Sequence, residues 1–156
     1  SDQTALAIVQ GPIVRELADA FATLANDGVR HFFDALRELG ERHAGRLVWV
    51  LGIDLAHIGR RYGDSTPARA EEGHLLGVRR ADQERLDRLC AADAEGFFEL
   101  VRPRQDELRW CGYSPIYTFL QAVPGARGEV LHYEQWNIDE QSVVSFAGME
   151  FRGPGD

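Results

Sequence analysis

The sequence predicts an α/β protein: a mixed sheet flanked by helices, with an antiparallel strand pair at the C-terminal end. Three observations lead there. Residues 47–51 (LVWVL) are a short apolar run, rich in β-branched and aromatic types, that stops at Gly52; this suits a strand buried on both faces. Stretches with apolar residues at helical spacing lie on either side of it. Residues 129–136 and 142–151 read as two strands joined by the four-residue loop Asn137, Ile138, Asp139, Glu140.

Taken in order, residues 5–9 are a short apolar run, a strand closed by Gly11 and Pro12. Ile13, Leu17, Ala20, Phe21 and Leu24 then fall at helical spacing and predict a helix to about Ala25. Asn26, Asp27 and Gly28 punctuate it and cap the next helix. That helix carries Val29, Phe32, Phe33, Leu36 and Leu39 on one stripe, with Arg30, Asp34, Arg37, Glu38 and Glu41 on a solvated face. His31 and His43 belong to the polar surface, and His74 is a lone histidine in an irregular stretch that runs to Gly77. Residues 79–90 read as a helix with Leu86, Leu89 and Cys90 facing inward, Cys90 being a small core residue. Asp93 N-caps a short helix bearing Phe97, Phe98 and Val101, and Pro103 opens a further turn. Ser114 as N-cap and Pro115 as first helical residue start a helix whose apolar face is Ile116, Phe119, Leu120 and Val123. The last run, SVVSFAGMEF, is apolar on both faces and is expected to pack between layers.

A chain of 156 residues is one domain or part of one and can bury a core without disulfides. The net charge of -8 argues against a nucleic-acid partner, and no basic membrane-binding face is evident. All 17 basic residues are arginine, which reads as codon bias of a GC-rich genome. Two cysteines without a CxxC do not make a disulfide framework; with no basic leader at Ser1 and no bilayer-spanning run, a cytoplasmic location is expected.

The chemistry gathers after the central strand. Asp54 and His57 follow it at once, and ligands in open α/β sheets bind beyond the carboxyl ends of strands. The structural reading is a turn cap and a satisfied polar side chain. Cys111 lies just before a helix N-terminus, where amides and the helix dipole favour a thiolate; the other reading, left open, is a buried thiol. Cys111, His57 and Asp54 are also the residue types of a cysteine-nucleophile hydrolase. Tyr113, Tyr133 and Trp136 would suit an aromatic groove for a peptide; the structural reading is that they are core aromatics.

DLAHIGRRYGD, WCGYSPIYTFLQAVPGARGEV, LHYEQW and SVVSFAGMEF, in that order, resemble the C-terminal half of the MEMO family, called AmmeMemoRadiSam system protein B in prokaryotes. The resemblance covers residues 29–152. It implies half of a fold like that of class III extradiol dioxygenases, with a metal-site cleft at strand ends. Asp54 and His57 match the family's Asp-x-x-His, and Cys111 matches the cysteine of its Cys-Gly motif. In the family that cysteine lies with two histidines of the N-terminal half and can contribute to an iron or copper site. The family is linked to redox and signalling roles, and in prokaryotes to radical-SAM and AMMECR-type proteins. Residues 1–28 resemble none of this. They form a divergent N-terminal segment before a MEMO-like domain over residues 29–156, in one compact unit.

Without the histidine motifs, the expectation is a truncated or split form that is not catalytic by itself and forms a homo-oligomer or joins a missing N-terminal half. Two alternatives stand beside it. One is a metal-dependent (iron or copper) oxidoreductase or dioxygenase-like enzyme, with Asp54 and His57 as acid and base and Cys111 as metal ligand; their O, N and S donors also suit zinc if the loops converge. The other is a protein- or peptide-interaction module.

Overall fold

The structure, a computed structural model, describes residues 4–8 and 27–153. Its strands form two sheets. β1 (Thr4–Ile8) and β2 (Leu47–Leu51) pair in parallel, with α1 (Asp27–Arg42) in the connection between them. Parallel partners need such a crossover, since a tight turn only reverses the chain. β3 (His57–Gly59), β4 (Arg127–Asp139) and β5 (Ser142–Arg152) form an antiparallel sheet in the order β3-β5-β4. Between β3 and β4 run α2 (Leu75–Cys90), α3 (Ala94–Val101) and α4 (Tyr113–Ala122). The α/β class and the closing strand pair are as the sequence predicts; the helix expected over residues 13–25 lies outside the described residues.

Helices α2 to α4 and the loop before α4 supply the centre of the core. Leu75, Leu86, Leu89, Phe97, Trp110 and Tyr117 are each at most 2% exposed. The N-cap read at Asp93 is present: its carboxylate accepts from the Gly96 amide at 2.8 Å and satisfies one of the open donors of α3. The stripe on α4 is buried through Ile116, Phe119 and Leu120.

Several local expectations are corrected. β2 is not buried on both faces; Leu47, Trp49 and Leu51 are half-buried, while Val48 and Val50 are 48% and 49% exposed. Side chains alternate along a strand, and only one face of β2 lies on the core. On α1 the inward aromatic is Phe33, set edge-on to Tyr117 at 6.1 Å, and Phe32 points outward. α2 begins at Leu75 rather than Arg79, and Cys90, in its last turn, is only half-buried. Ser114 is not the N-cap of α4, which starts at Tyr113 after Gly112. Pro115 still falls within the first turn, where its missing N–H costs nothing. The hairpin turn is Glu140 and Gln141, two residues instead of four, with Asp139 opposite Ser142. Along β5, residues 142–145 are buried, 146 and 147 are half-buried, and from there exposed and half-buried residues alternate. The buried part is flanked by β4 and, over residues 142–144, by β3; beyond that β5 loses its second neighbour.

Candidate metal centre

Residues 54–57 are held from two sides. On one, the Leu55 amide donates to the Ser145 carbonyl (2.8 Å), the Ser145 amide to the Ala56 carbonyl (3.0 Å) and the Ala56 amide to Ser145 Oγ (2.9 Å). On the other, the His57 amide donates to Leu108 O at 2.9 Å and the Gly112 amide to Asp54 O at 3.2 Å. This second set brings Cys111 onto Asp54: the thiol donates to Asp54 Oδ1, and the Asp54 amide donates to Sγ at 3.4 Å. Gly112 makes the approach feasible. A Cβ there would lie 2.4 Å from Ile53 Cδ1 and 3.2 Å from Asp54 O, whereas its φ of -78° suits any residue. Space, not backbone freedom, is what glycine supplies after Cys111: a side chain there would displace the Ile53 tip and crowd the Asp54 carbonyl.

Asp54, His57 and Cys111 thus each present one ligand atom within 4.8 Å of the others, the one such group among the described residues. All three are half-buried. His57 Nε2 lies 3.6 Å from Asp54 Oδ1. His57 Nδ1 lies 2.9 Å from both Leu55 O and Arg109 O. Carbonyl oxygens only accept, so Nδ1 carries a proton, and Nε2, on the Asp54 side, is the ring nitrogen left to offer a lone pair to a cation. A metal-binding histidine needs this arrangement. One oxygen, one nitrogen and one sulfur form a donor set that fits iron, copper or zinc.

Arg109 fixes the imidazole twice over. Its carbonyl takes the Nδ1 proton, and its Nη1 donates to His57 O at 2.9 Å. Its guanidinium also grips Asp64 through Nη2–Oδ1 (2.5 Å) and Nη1–Oδ2 (3.2 Å), while Asp64 Oδ2 accepts from the Gly59 amide at 2.7 Å. The hydrogen bond from Arg109 holds the Asp64 carboxyl below the usual carboxylate range. Tyr62 stands edge-on to the His57 ring at 5.0 Å, and burial raises its hydroxyl above the ordinary tyrosine value. The loop that delivers Arg109 and Cys111 contains three left-handed non-glycine residues, Gln105, Asp106 and Arg109. Each costs about 1–2 kcal/mol, and backbone strain of this kind gathers at functional sites.

An open cleft of about 490 Å³ adjoins the group, lined by Asp54, Glu134, Trp136, Ile138, Val144 and Phe146. Its floor follows from strand register. Val144 pairs with His57 on one side and Trp136 on the other, so the three form one row across the sheet. Trp136 is 55% exposed at the end of this row.

Two readings of the cysteine do not survive. Cys111 is not a helix-stabilised thiolate; burial and the hydrogen bond to Asp54 push its thiol up to about 12. Nor do the residues form a hydrolase triad. A triad carboxylate sits on the imidazole nitrogen away from the nucleophile, but here Asp54 meets Cys111 on the Nε2 side and Nδ1 is taken by backbone carbonyls. The three aromatics of the supposed groove separate as well. Tyr113 is buried against Phe97, and Tyr133 and Trp136 point to opposite faces of β4.

Behind the site lies a polar cluster that sequence reasoning missed. Asp82 on α2 is fully buried and accepts three hydrogen bonds of 2.7 Å, from Trp110 Nε1, Tyr133 OH and Ser145 Oγ. Burial raises its pKa, against the three donors, which favour the charged form. The Arg85 guanidinium stacks over Trp110 at 5.9 Å and donates to Ala81 O. Asp106, also buried, meets the Trp110 amide without reaching full hydrogen-bond geometry, and its carboxyl is pushed up to about 6, chiefly by burial.

No curated protein matches the chain. A family model described as Memo-like protein matches residues 25–150, a span that contains α1 to α4, all of β2 to β4 and most of β5. It includes Asp54, His57, Cys111 and every residue named above as holding them in place. With most of its length matched, the chain belongs to the Memo-like protein family.

Proposed function

We propose that Asp54, His57 and Cys111 hold a first-row transition metal at the mouth of the Trp136 cleft, and that the chain is a metal-dependent oxidoreductase-like member of its family. One observation carries this reading: three unlike ligand atoms converge while the histidine is locked, by Leu55 and Arg109, in the tautomer that leaves Nε2 open. The resemblance points to iron or copper, which would supply one-electron chemistry or polarise a substrate oxygen. Cys111 gives up its proton on binding a cation, so retention of metal strengthens as pH rises. Asp54 borders both the ligand group and the cleft, which supports a role for its second carboxylate oxygen in passing a proton to a bound molecule. The cleft lining is apolar apart from two acids, Asp54 and Glu134, and includes no basic side chain. It favours a neutral or cationic apolar molecule over an anion.

The test is metal content. The chain is exposed anaerobically to Fe(II), Cu(I) or Zn(II), desalted and assayed beside Cys111→Ser and His57→Ala. Near-stoichiometric metal in the parent chain, reduced at least tenfold in both variants, is expected. A parent chain that retains none overturns the reading.

The second reading, a split form completed by a partner or a second copy, is favoured by the exposed apolar side chains Val48, Val50, Leu131 and Trp136. It predicts a dimer or larger species by light scattering; a monomer at all concentrations contradicts it.

A further inference from the structure

We infer that Asp82 is a positioning residue for the metal centre: from behind the sheet, its one carboxylate ties together the two chain segments that carry the ligands. The inference rests on the proposed metal site for its role, but its geometry stands apart from it. Asp82 Oδ1 takes the indole proton of Trp110, the residue before Cys111. Asp82 Oδ2 takes the hydroxyl proton of Ser145. Ser145 has only that proton to give, so its Oγ lone pairs are turned to the Ala56 amide, which donates to it at 2.9 Å between Asp54 and His57. The chain Trp110–Asp82–Ser145–Ala56 therefore links positions 110 and 56 through three side chains and the Ala56 amide, while the Gly112 amide links the same segments at the front by its bond to Asp54 O.

A carboxylate at 0% exposure is an expensive way to hold a core together, because burying the charge must be offset by its donors. An apolar residue at position 82 would pack more cheaply but could not orient two donors from different segments. The third donor, Tyr133 OH, shares Oδ2 at the same 2.7 Å but comes from β4, which brings no ligand to the group. It provides an internal control. Ser145→Ala cuts the link at one end and Asp82→Asn turns one of the two acceptor oxygens into an NH2 donor, so the side chain can no longer accept from both segments, whereas Tyr133→Phe removes an equal bond from Oδ2 and leaves Trp110, residue 82, Ser145 and Ala56 in place.

Two readouts on the full chain decide the matter. Co(II) alone is titrated anaerobically, following the thiolate-to-cobalt charge-transfer band, and exchange of the Gly112 amide is followed in the metal-free chain. Supporting contacts behind metal ligands are worth about 10- to 100-fold in affinity. Asp82→Asn and Ser145→Ala are expected to weaken Co(II) binding at least about tenfold, shift the band and speed Gly112 exchange by a similar factor. Tyr133→Phe is expected to lower the unfolding midpoint and leave both readouts within about twofold. Equal loss in all three variants means general destabilisation and overturns the inference, as does unchanged cobalt binding and exchange in a folded Ser145→Ala. If the parent chain binds no Co(II) but Gly112 exchange separates the variants as stated, the metal reading fails and the positioning role of Asp82 stands.

Discussion

Alanine at Gly59 is expected to destabilise the fold by about 3 kcal/mol or more. Gly59 adopts φ 114° and ψ -170°, a region essentially closed to residues with a Cβ. The added carbon would also lie 2.3 Å from Gln141 O and 2.8 Å from Ser142 Cα. Both are backbone atoms of the β5 turn and cannot swing aside. Gln141 O already accepts from the amides of Arg60 and Ala68, so the turn is pinned from two stretches of chain at once. Relief comes only by prising β3 from β5, which moves His57 two residues away. Urea unfolding checks this against Gly148→Ala, where a Cβ meets nothing within 4 Å. A Gly59→Ala midpoint close to the Gly148→Ala value would contradict the account of β3.

Asp106→Asn is expected to remove most of a slope in the stability of the chain between pH 4 and pH 6. The ordinary carboxyl value is 3.8, and in the folded chain Asp106 is pushed up to about 6. Between these values the folded state holds a proton that the unfolded state releases. Stability from this group is therefore full below pH 4 and falls as pH rises through 6, by an amount on the order of 3 kcal/mol. Asp64, lowered by Arg109, works in the opposite sense: its contribution is present above the ordinary value and is lost in stronger acid. The difference between parent and Asp106→Asn isolates the first effect, read as urea midpoints at each pH. Parallel profiles for the two proteins would show that Asp106 titrates normally.

The three ligand candidates were legible because each stands at a punctuated place. Asp54 and His57 follow a strand that ends in glycine, and Cys111 precedes a glycine at the mouth of a helix. Their supports were not. Asp64 and Arg109 read as ordinary charges in loops, and their pairing across 45 positions has no local signature. Burial of Asp82 did leave a trace: Leu75, Val78, Asp82, Leu86 and Leu89 follow helical spacing, which puts a carboxylate on the apolar stripe of α2. Read with a tryptophan close to the cysteine, that trace pointed to a buried network. The sequence left thiolate and buried thiol both open for Cys111, because a helix terminus acts over one turn, while the contact that raises the thiol comes from Asp54, 57 positions away. The exposed face of β2 was misread because a continuous apolar run fits both a central strand and one whose second face meets solvent.

X-ray absorption at the zinc edge of the loaded chain tests the central claim most directly, since it counts the sulfur and the lighter ligands around the ion. One sulfur at about 2.3 Å with nitrogen and oxygen at about 2.0–2.2 Å is the predicted shell, and the sulfur is lost in Cys111→Ser. A shell of nitrogen and oxygen alone, or one with two sulfurs, would contradict a centre built from Asp54, His57 and Cys111.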